Sequence, residues 1–169
     1  MPKYLVDSNV FIQAKNMYYR FDFCAGFWQW MQQAHSGNML YSIKKVMTEL
    51  SHKPDEAKSW AQAMPKSFFL EDVNDAAVMV EYGRIMNWAV GSQFSQNAIA
   101  EFSKATTADA FLIAVAKVHG HVIVTQEQSN PKAKKKIFLP DAAMANGVET
   151  MYVYDMLSAH SLPIFAPKP

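Results

Sequence analysis

The sequence has a single cysteine, Cys24, among its 169 residues. One cysteine excludes an internal disulfide and a cysteine-based zinc site, and it favours a reducing compartment. No apolar run approaches the roughly 18 residues that a transmembrane helix requires. The N-terminal residues lead into a strand with an acidic end, instead of the basic region and apolar stretch of a signal peptide. We therefore expect a cytoplasmic protein that does not enter the membrane.

The net charge is also small, at +1, so no overall electric field draws the chain towards nucleic acid. Any binding of nucleic acid must therefore depend on a local basic patch. The absence of a glycine-rich phosphate loop argues against a nucleotide-dependent kinase or dehydrogenase. Half of the residues are apolar, which indicates a globular chain. The length predicts one domain, over residues 1–162, followed by a proline-rich tail at 163–169.

Short apolar segments alternate with helical periodicity along the chain, which predicts an α/β fold with a small parallel sheet. Residues 68–70 are either an edge strand or an extended linker. Strands are predicted at 3–6, 39–41, 121–125 and 150–153. Helices are predicted at 9–18, 25–36, 43–51, 55–63, 74–90, 95–102, 106–119, from 141, and 155–160, with Ser42 and Asp155 as two of the N-caps.

Four acidic residues stand at comparable places in these elements, near the ends of predicted strands or in the helices that follow. In a parallel sheet such positions converge at the carboxyl edge, where α/β proteins bind ligands. Crowded carboxylates repel one another, and a hard dication neutralises them; all-oxygen ligands favour Mg²⁺ or Mn²⁺ over zinc. The four residues are Asp7, Glu49, Asp109 and Glu127.

Each acid also has a structural explanation. Asp7, or its neighbour Asn9, is in place to cap the next helix. Asp109 completes a capping box with Thr106. Glu49 fits a solvated helical position, and Glu127 lies in a polar loop. From the residues alone, a metal cluster and a set of unrelated structural acids are about equally well supported.

The order of these segments resembles the PIN domain. The resemblance is carried by Tyr4-Leu5-Val6-Asp7-Ser8-Asn9, by Glu49-Leu50, by Ala108-Asp109-Ala110-Phe111-Leu112-Ile113-Ala114, and by Val122-Ile123-Val124-Thr125 with an acid just after. It covers most of the chain. The segment Ile137-Phe138-Leu139-Pro140-Asp141 is similar to a PIN-like branch known mainly as a domain of unknown function. The resemblance implies a three-layer α/β/α fold with a small central parallel sheet.

PIN domains are metal-dependent ribonucleases, and many are the toxin of a VapC-type toxin–antitoxin pair. By position, Asp7, Glu49 and Asp109 match the family's catalytic metal ligands, and Thr125 matches the residue after the last strand of the metal site. The family usually has an aspartate as its fourth acid, where this chain offers Glu127 or, further on, Asp141. Asn9 is similar to the polar residue that orients the first aspartate.

The resemblance implies hydrolysis of RNA phosphodiester bonds with Mg²⁺ or Mn²⁺ as cofactor. The altered fourth acid favours an alternative, a catalytically inactive PIN-like scaffold that acts as a binding or regulatory protein. A third reading, a small phosphatase or phosphoryl-transfer domain, also places an aspartate after the first strand. It lacks support because position 9 is asparagine, so the usual Asp-x-Asp pair is missing.

The expected partners are RNA, an antitoxin that covers the acidic cleft, and a second copy of the chain in a homodimer. The RNA backbone is expected to bind a basic run in the loop after the 121–125 strand. Tyr18 or Tyr19 could stack bases, although core packing is the favoured role for both. The basic run consists of Lys132, Lys134, Lys135 and Lys136.

Overall fold

The computed structural model describes residues 1–161, which contain five short strands. The strands are β1 (Tyr4–Val6), β2 (Leu40–Ile43), β3 (Phe69–Leu70), β4 (Val122–Val124) and β5 (Thr150–Met151). They form one sheet in the order β3-β2-β1-β4-β5, and every neighbouring pair is parallel. The predicted boundary at 162 and the proline-rich tail at 163–169 lie outside the described residues.

Helices flank the sheet and give the three-layer α/β/α fold that was expected. A π-helical turn, Ala14–Tyr18, extends the first helix, and a 3₁₀ turn, Lys66–Phe68, leads into β3. Within residues 1–161, no helix combines the length and apolar character needed to cross a membrane. The helices are α1 (Ser8–Gln13), α2 (Ala25–Ser36), α3 (Lys44–Leu50), α4 (Glu56–Ala63), α5 (Ala76–Val90), α6 (Gln96–Phe102), α7 (Asp109–His119), α8 (Leu139–Ala145) and α9 (Val153–His160).

The core lies between the central strands and α7. Leu5 of β1 and Ile123 of β4 are fully buried, as expected for a parallel sheet covered on both faces. Leu112 and Ile113 of α7 are fully buried as well. Gly120 ends α7 in the left-handed conformation (φ +69°), which glycine adopts at little cost. This packing fixes the position of α7, and therefore also the position of Asp109, its first residue.

Several predicted helix starts are wrong in an informative way. Ser42 belongs to β2, where its hydroxyl donates to the Val6 carbonyl (2.7 Å) instead of capping α3. The predicted capping box between Thr106 and Asp109 does not form, because α7 begins only at Asp109, with Ala108 at its N-cap. Asp155 lies inside the first turn of α9, after an N-cap at Tyr152. None of these polar side chains caps its helix, so each is available for other contacts.

In the sheet, β2 and β3 lie on one side of β1, and β4 and β5 lie on its other side. The carboxyl ends of β1 and β4 therefore form a topological switch point, where α/β sheets open a crevice for ligands. Asp7 follows β1 directly and Thr125 follows β4 directly. The fold thus brings two predicted site residues to the same crevice.

Candidate active site

Asp7 is the buried acid of the switch point, with only 3% of its surface exposed. It occupies the N-cap position of α1, but its side chain makes no capping hydrogen bond, so the capping explanation is wrong. Instead, its Oδ2 accepts a hydrogen bond from Thr125 Oγ1 (2.9 Å), while Ser8 Oγ lies 3.4 Å from Oδ1. The carboxylate is therefore oriented across the sheet, from β1 towards β4.

A polar network holds Thr125 in this role. Its Oγ1 donates to Asp7 and accepts from Asn9 Nδ2 (3.1 Å) and from the Glu127 backbone N–H (3.1 Å). Asn9 Oδ1 in turn accepts from the Gln126 backbone N–H (3.0 Å). One hydroxyl donor and two accepted bonds match the capacity of a threonine side chain. Asn9 therefore orients Asp7 through Thr125.

The pKa of Asp7 is raised from its ordinary value of 3.8 to about 7, chiefly by burial. The hydrogen bond from Thr125 opposes this rise, because it favours the charged carboxylate. The negative charges of Glu49 and Glu127 contribute smaller parts of the rise. Asp7 therefore lies close enough to two further predicted acids to respond to their charges.

Asp109, the first residue of α7, belongs to the same group. Burial raises its pKa well above 3.8, and the charges of Asp7, Glu127 and Glu49 raise it further, against the opposing charge of Lys136. Within residues 1–161 its carboxylate accepts no hydrogen bond. A partly buried acid beside like charges and without a donor is costly, unless a cation or a proton neutralises it.

Glu49 joins α3 to the start of α7. Its Oε1 accepts a hydrogen bond (3.1 Å) from the backbone N–H of Ala108, the N-cap residue of α7. Lys45 does not pair with Glu49, because its Nζ donates to the Ala105 carbonyl. The contact between Glu49 and Ala108 spans 59 residues, so nothing local in the sequence indicates it.

Glu127, the candidate fourth acid, is held in place through both of its carboxylate oxygens. Glu127 forms an ion pair with Lys136, and its second oxygen accepts from the Leu139 backbone N–H. Asp141 instead holds the loop before α8, accepting from Ser129 Oγ and from the Asn130 backbone N–H (2.7 Å). Because the pKa values of Asp7 and Asp109 respond to Glu127, the structure favours Glu127 over Asp141 as the fourth member of the group.

The donor set suits a hydrated hard cation. Among residues 1–161, no three His, Cys, Asp or Glu side chains converge closely enough to form a ready-made metal cage. Mg²⁺, however, keeps several waters and is typically held by one or two carboxylates together with substrate phosphates. Asp109, with no donor of its own, and Asp7, which shares one oxygen with Thr125, are the two carboxylates available for that form of binding.

The basic run divides into two parts. Lys135 and Lys136 line a cavity of about 310 Å³ together with Asp109 and Thr107. Lys132 and Lys134 are exposed but do not line this cavity. Two of the four predicted lysines are therefore placed beside an acid of the site.

The fold and this geometry define a class: parallel α/β proteins with a group of acidic residues near the switch point of the sheet. The chain belongs to the family described as Domain of unknown function (DUF4411), whose family model matches residues 4–164. No curated protein shows significant similarity to the chain.

Proposed function

We propose that the protein is a metal-dependent endoribonuclease of the PIN type. The observation that carries this proposal is the buried Asp7 at the switch point, oriented by Thr125 and lying near Asp109, Glu49 and Glu127. Burying mutually repelling acids destabilises a protein, so such a group favours a functional role over a structural one. The resemblance to PIN domains supplies the substrate class, RNA.

The chain's own residues divide the work. Asp7 and Asp109 would hold Mg²⁺ or Mn²⁺ directly, with Glu49 and Glu127 acting through bound water. When bound, the metal supplies an activated water and stabilises the leaving oxyanion in an in-line displacement at phosphorus. Thr125 and Asn9 fix the orientation of Asp7. The resemblance implies a product with a 5′-phosphate.

The lysines would bind the RNA backbone beside the acids. Lys135 and Lys136 line the 310 Å³ cavity together with Asp109, so a phosphate bound there would lie near that carboxylate. Replacing Lys132, Lys134, Lys135 and Lys136 with glutamine should weaken RNA binding and flatten its salt dependence, because fewer counterions are released. The control is Lys53→Gln, another exposed lysine. Unchanged affinity across a salt series would remove the lysines from the RNA site.

Two observations favour a second function, a PIN-like scaffold that binds a partner without catalysis. Lys136 already neutralises Glu127, and residues 1–161 contain no ready-made cage of three ligands. In this alternative, the ion pair would replace the metal. The toxin role, an antitoxin over the acidic cleft and a homodimer belong to the nuclease proposal and rest on the resemblance alone.

The deciding experiment measures ribonuclease activity with Mg²⁺, with Mn²⁺ and with EDTA, in the wild type and in Asp7→Asn. We expect metal-dependent cleavage that Asp7→Asn lowers by more than about 100-fold, because loss of a ligand should exceed the 10–100-fold cost of losing a group that orients one. Asp22→Asn, an exposed aspartate paired with Arg20, is the matched control and should retain activity.

Calorimetry with Mn²⁺ separates the two functions. Mn²⁺ binding that Asp7→Asn abolishes supports the nuclease. Equal cleavage by wild type and Asp7→Asn would assign the activity to a contaminant. Neither cleavage nor Mn²⁺ binding would refute the nuclease and favour the scaffold.

A further inference from the structure

A second cavity includes two residues of the acidic site, Thr125 and Glu127, in its lining. Its volume is about 280 Å³, and it lies between the ends of β4 and β5 and the helices α8 and α9. The rest of the lining of this β4–β5 cavity includes Pro140, Met144, Tyr152 and Asp155.

The walls of the β4–β5 cavity combine flat apolar surface with one free acid. Met144 is 74% exposed and Tyr152 is 41% exposed, so both offer apolar area that the core does not use. The Asp155 side chain forms no hydrogen bond or ion pair within the described residues, although it lies in the first turn of α9, where the helix dipole favours an acid. These groups suit a planar ligand that carries N–H donors.

Charge distinguishes this cavity from the 310 Å³ cavity. Glu127 lines the β4–β5 cavity and pairs with Lys136, which lines the 310 Å³ cavity with Lys135, Asp109 and Glu101. The β4–β5 cavity is lined by two acids and by no lysine or arginine. Of the two cavities, only the first therefore offers a phosphate cationic partners, while the second accepts an uncharged ring.

We propose that the β4–β5 cavity is a nucleobase pocket that receives an unpaired base of single-stranded RNA, stacked on Tyr152 and read by Asp155. The inference rests on the proposed function, since it assigns a base to the nucleotide whose phosphate lies at the acids. Unpaired bases are commonly bound by stacking on aromatic rings and by hydrogen bonds to their edges. A carboxylate accepts hydrogen bonds, so Asp155 favours guanine, adenine or cytosine, which present amino groups. Uracil is disfavoured because its one donor on that edge, N3–H, lies between two carbonyl oxygens that a carboxylate repels.

The test is binding of fluorescently labelled RNA hexamers in EDTA, where metal-dependent cleavage is silent. Each hexamer is uridine except for one central position, which is guanine, adenine, cytosine, uracil or abasic. We expect the wild type to bind the amino-bearing bases more tightly than uracil, and the abasic hexamer most weakly.

Three variants assign the contacts. Tyr152→Ala should weaken binding roughly 5- to 100-fold, the range expected for one stacked base, while Tyr152→Phe retains it. Asp155→Asn should reduce the preference among bases and leave the abasic hexamer unaffected. Tyr154→Ala is the matched control, because Tyr154 is 43% exposed on the same helix but does not line the cavity.

The outcomes separate this inference from the proposed function. If hexamers bind and the Tyr152 and Asp155 variants match the wild type, the pocket is refuted and the nuclease proposal survives. Equal affinity for the abasic and complete hexamers likewise refutes the pocket. If no hexamer binds, the pocket is refuted, and the cleavage and Mn²⁺ measurements decide the nuclease proposal separately. If Tyr152→Ala changes the sedimentation of the protein and not its RNA binding, the cavity is an interface between copies, and the pocket is refuted.

Discussion

At the carboxyl edge of the sheet Asp7 is buried beside other carboxylates, whereas at the amino edge His121 is buried beside aromatic rings. His121, just before β4, is 8% exposed and stacks on Tyr41, with ring centroids 5.5 Å apart and planes 5° from parallel. Burial, together with the smaller effects of the His119 and Lys3 charges, lowers the pKa of His121 from 6.5 to about 4. Neutral His121 therefore behaves as an aromatic core residue.

The burial of His121 and the burial of Asp7 need different explanations. A neutral, stacked imidazole gains packing energy, although its Nδ1 finds no partner within residues 1–161. The carboxylates gain little by comparison, because each raises the free energy of the others. A group that destabilises the fold, yet is oriented by Thr125 and Asn9, is better explained by function than by packing.

The largest effect we predict is on stability, from Asp7→Asn. The folded pKa of Asp7 is raised from 3.8 to about 7, so its ionisation destabilises the fold as the pH rises from about 4 to 7. At about 1.36 kcal/mol per pH unit, the upper bound is about 4 kcal/mol at pH 8. Urea unfolding in EDTA should show Asp7→Asn more stable than the wild type at pH 8, and little different at pH 4. Destabilisation at pH 8 would contradict the electrostatic account.

At the other edge we predict the opposite dependence on pH. Because the folded pKa of His121 is lowered, the wild type should lose stability as the pH falls from about 6.5 to 4, by up to about 3 kcal/mol. His121→Phe keeps the ring on Tyr41 and removes the ionisable group, so it should suppress this loss. Exposed His52→Phe is the control. If His121→Phe lost as much stability as the wild type between about pH 6.5 and 4, the ionisation of His121 would not be the cause of that loss.

Thr125→Val tests the orientation of the acids. Removing the hydroxyl deprives ionised Asp7 of its donor, and a hydrogen bond to a charged group contributes about 1.5–3 kcal/mol. We expect a loss of about 2 kcal/mol at pH 8 and a smaller loss at pH 4, with the pKa of Asp7 raised further.

Thr125→Ser is the matched control for this prediction, because it keeps Oγ and should keep most of the stability. NMR titration of the Asp7 carboxyl group reports its pKa directly. If Val and Ser lower stability equally at both pH values, the threonine contributes packing rather than a hydrogen bond to Asp7.

The sequence predicts the sheet and the placement of Asp7 well, because both depend on local patterns. A short apolar run predicts β1 and a β-branched run predicts β4, and an acid directly after a strand reaches the edge of the sheet in any parallel arrangement. Cap positions were less predictable. Ser42 and Asp109 are good capping residues by type, but their neighbours in the fold decide their contacts.

Long-range partners could not be read from the sequence. The bond from Ala108 to Glu49 depends on how α3 meets α7, and the chain between them offers no pattern for it. The pairing of Lys136 with Glu127 crosses a loop whose lysines look alike in sequence. The β4–β5 cavity arises from four separate segments, and Tyr152 and Asp155 appear in sequence only as a strand end and a helix cap.

The smallest stability effect we predict is from Lys136→Met, and it bears most directly on the nature of the acidic edge. The Lys136 side chain is 58% exposed, so breaking its ion pair with Glu127 should change stability by less than about 1 kcal/mol. If the acids bind metal, removing this cation frees Glu127 and should raise the Mn²⁺ affinity several-fold in calorimetry. Lys132→Met, which removes an exposed lysine outside the cavity, should leave that affinity unchanged. Equal Mn²⁺ binding by all three proteins would mean that Glu127 takes no part in holding the metal. Binding by Lys136→Met alone would mean that Lys136 replaces the metal in the wild type, and binding by none would refute a metal site at this edge of the sheet.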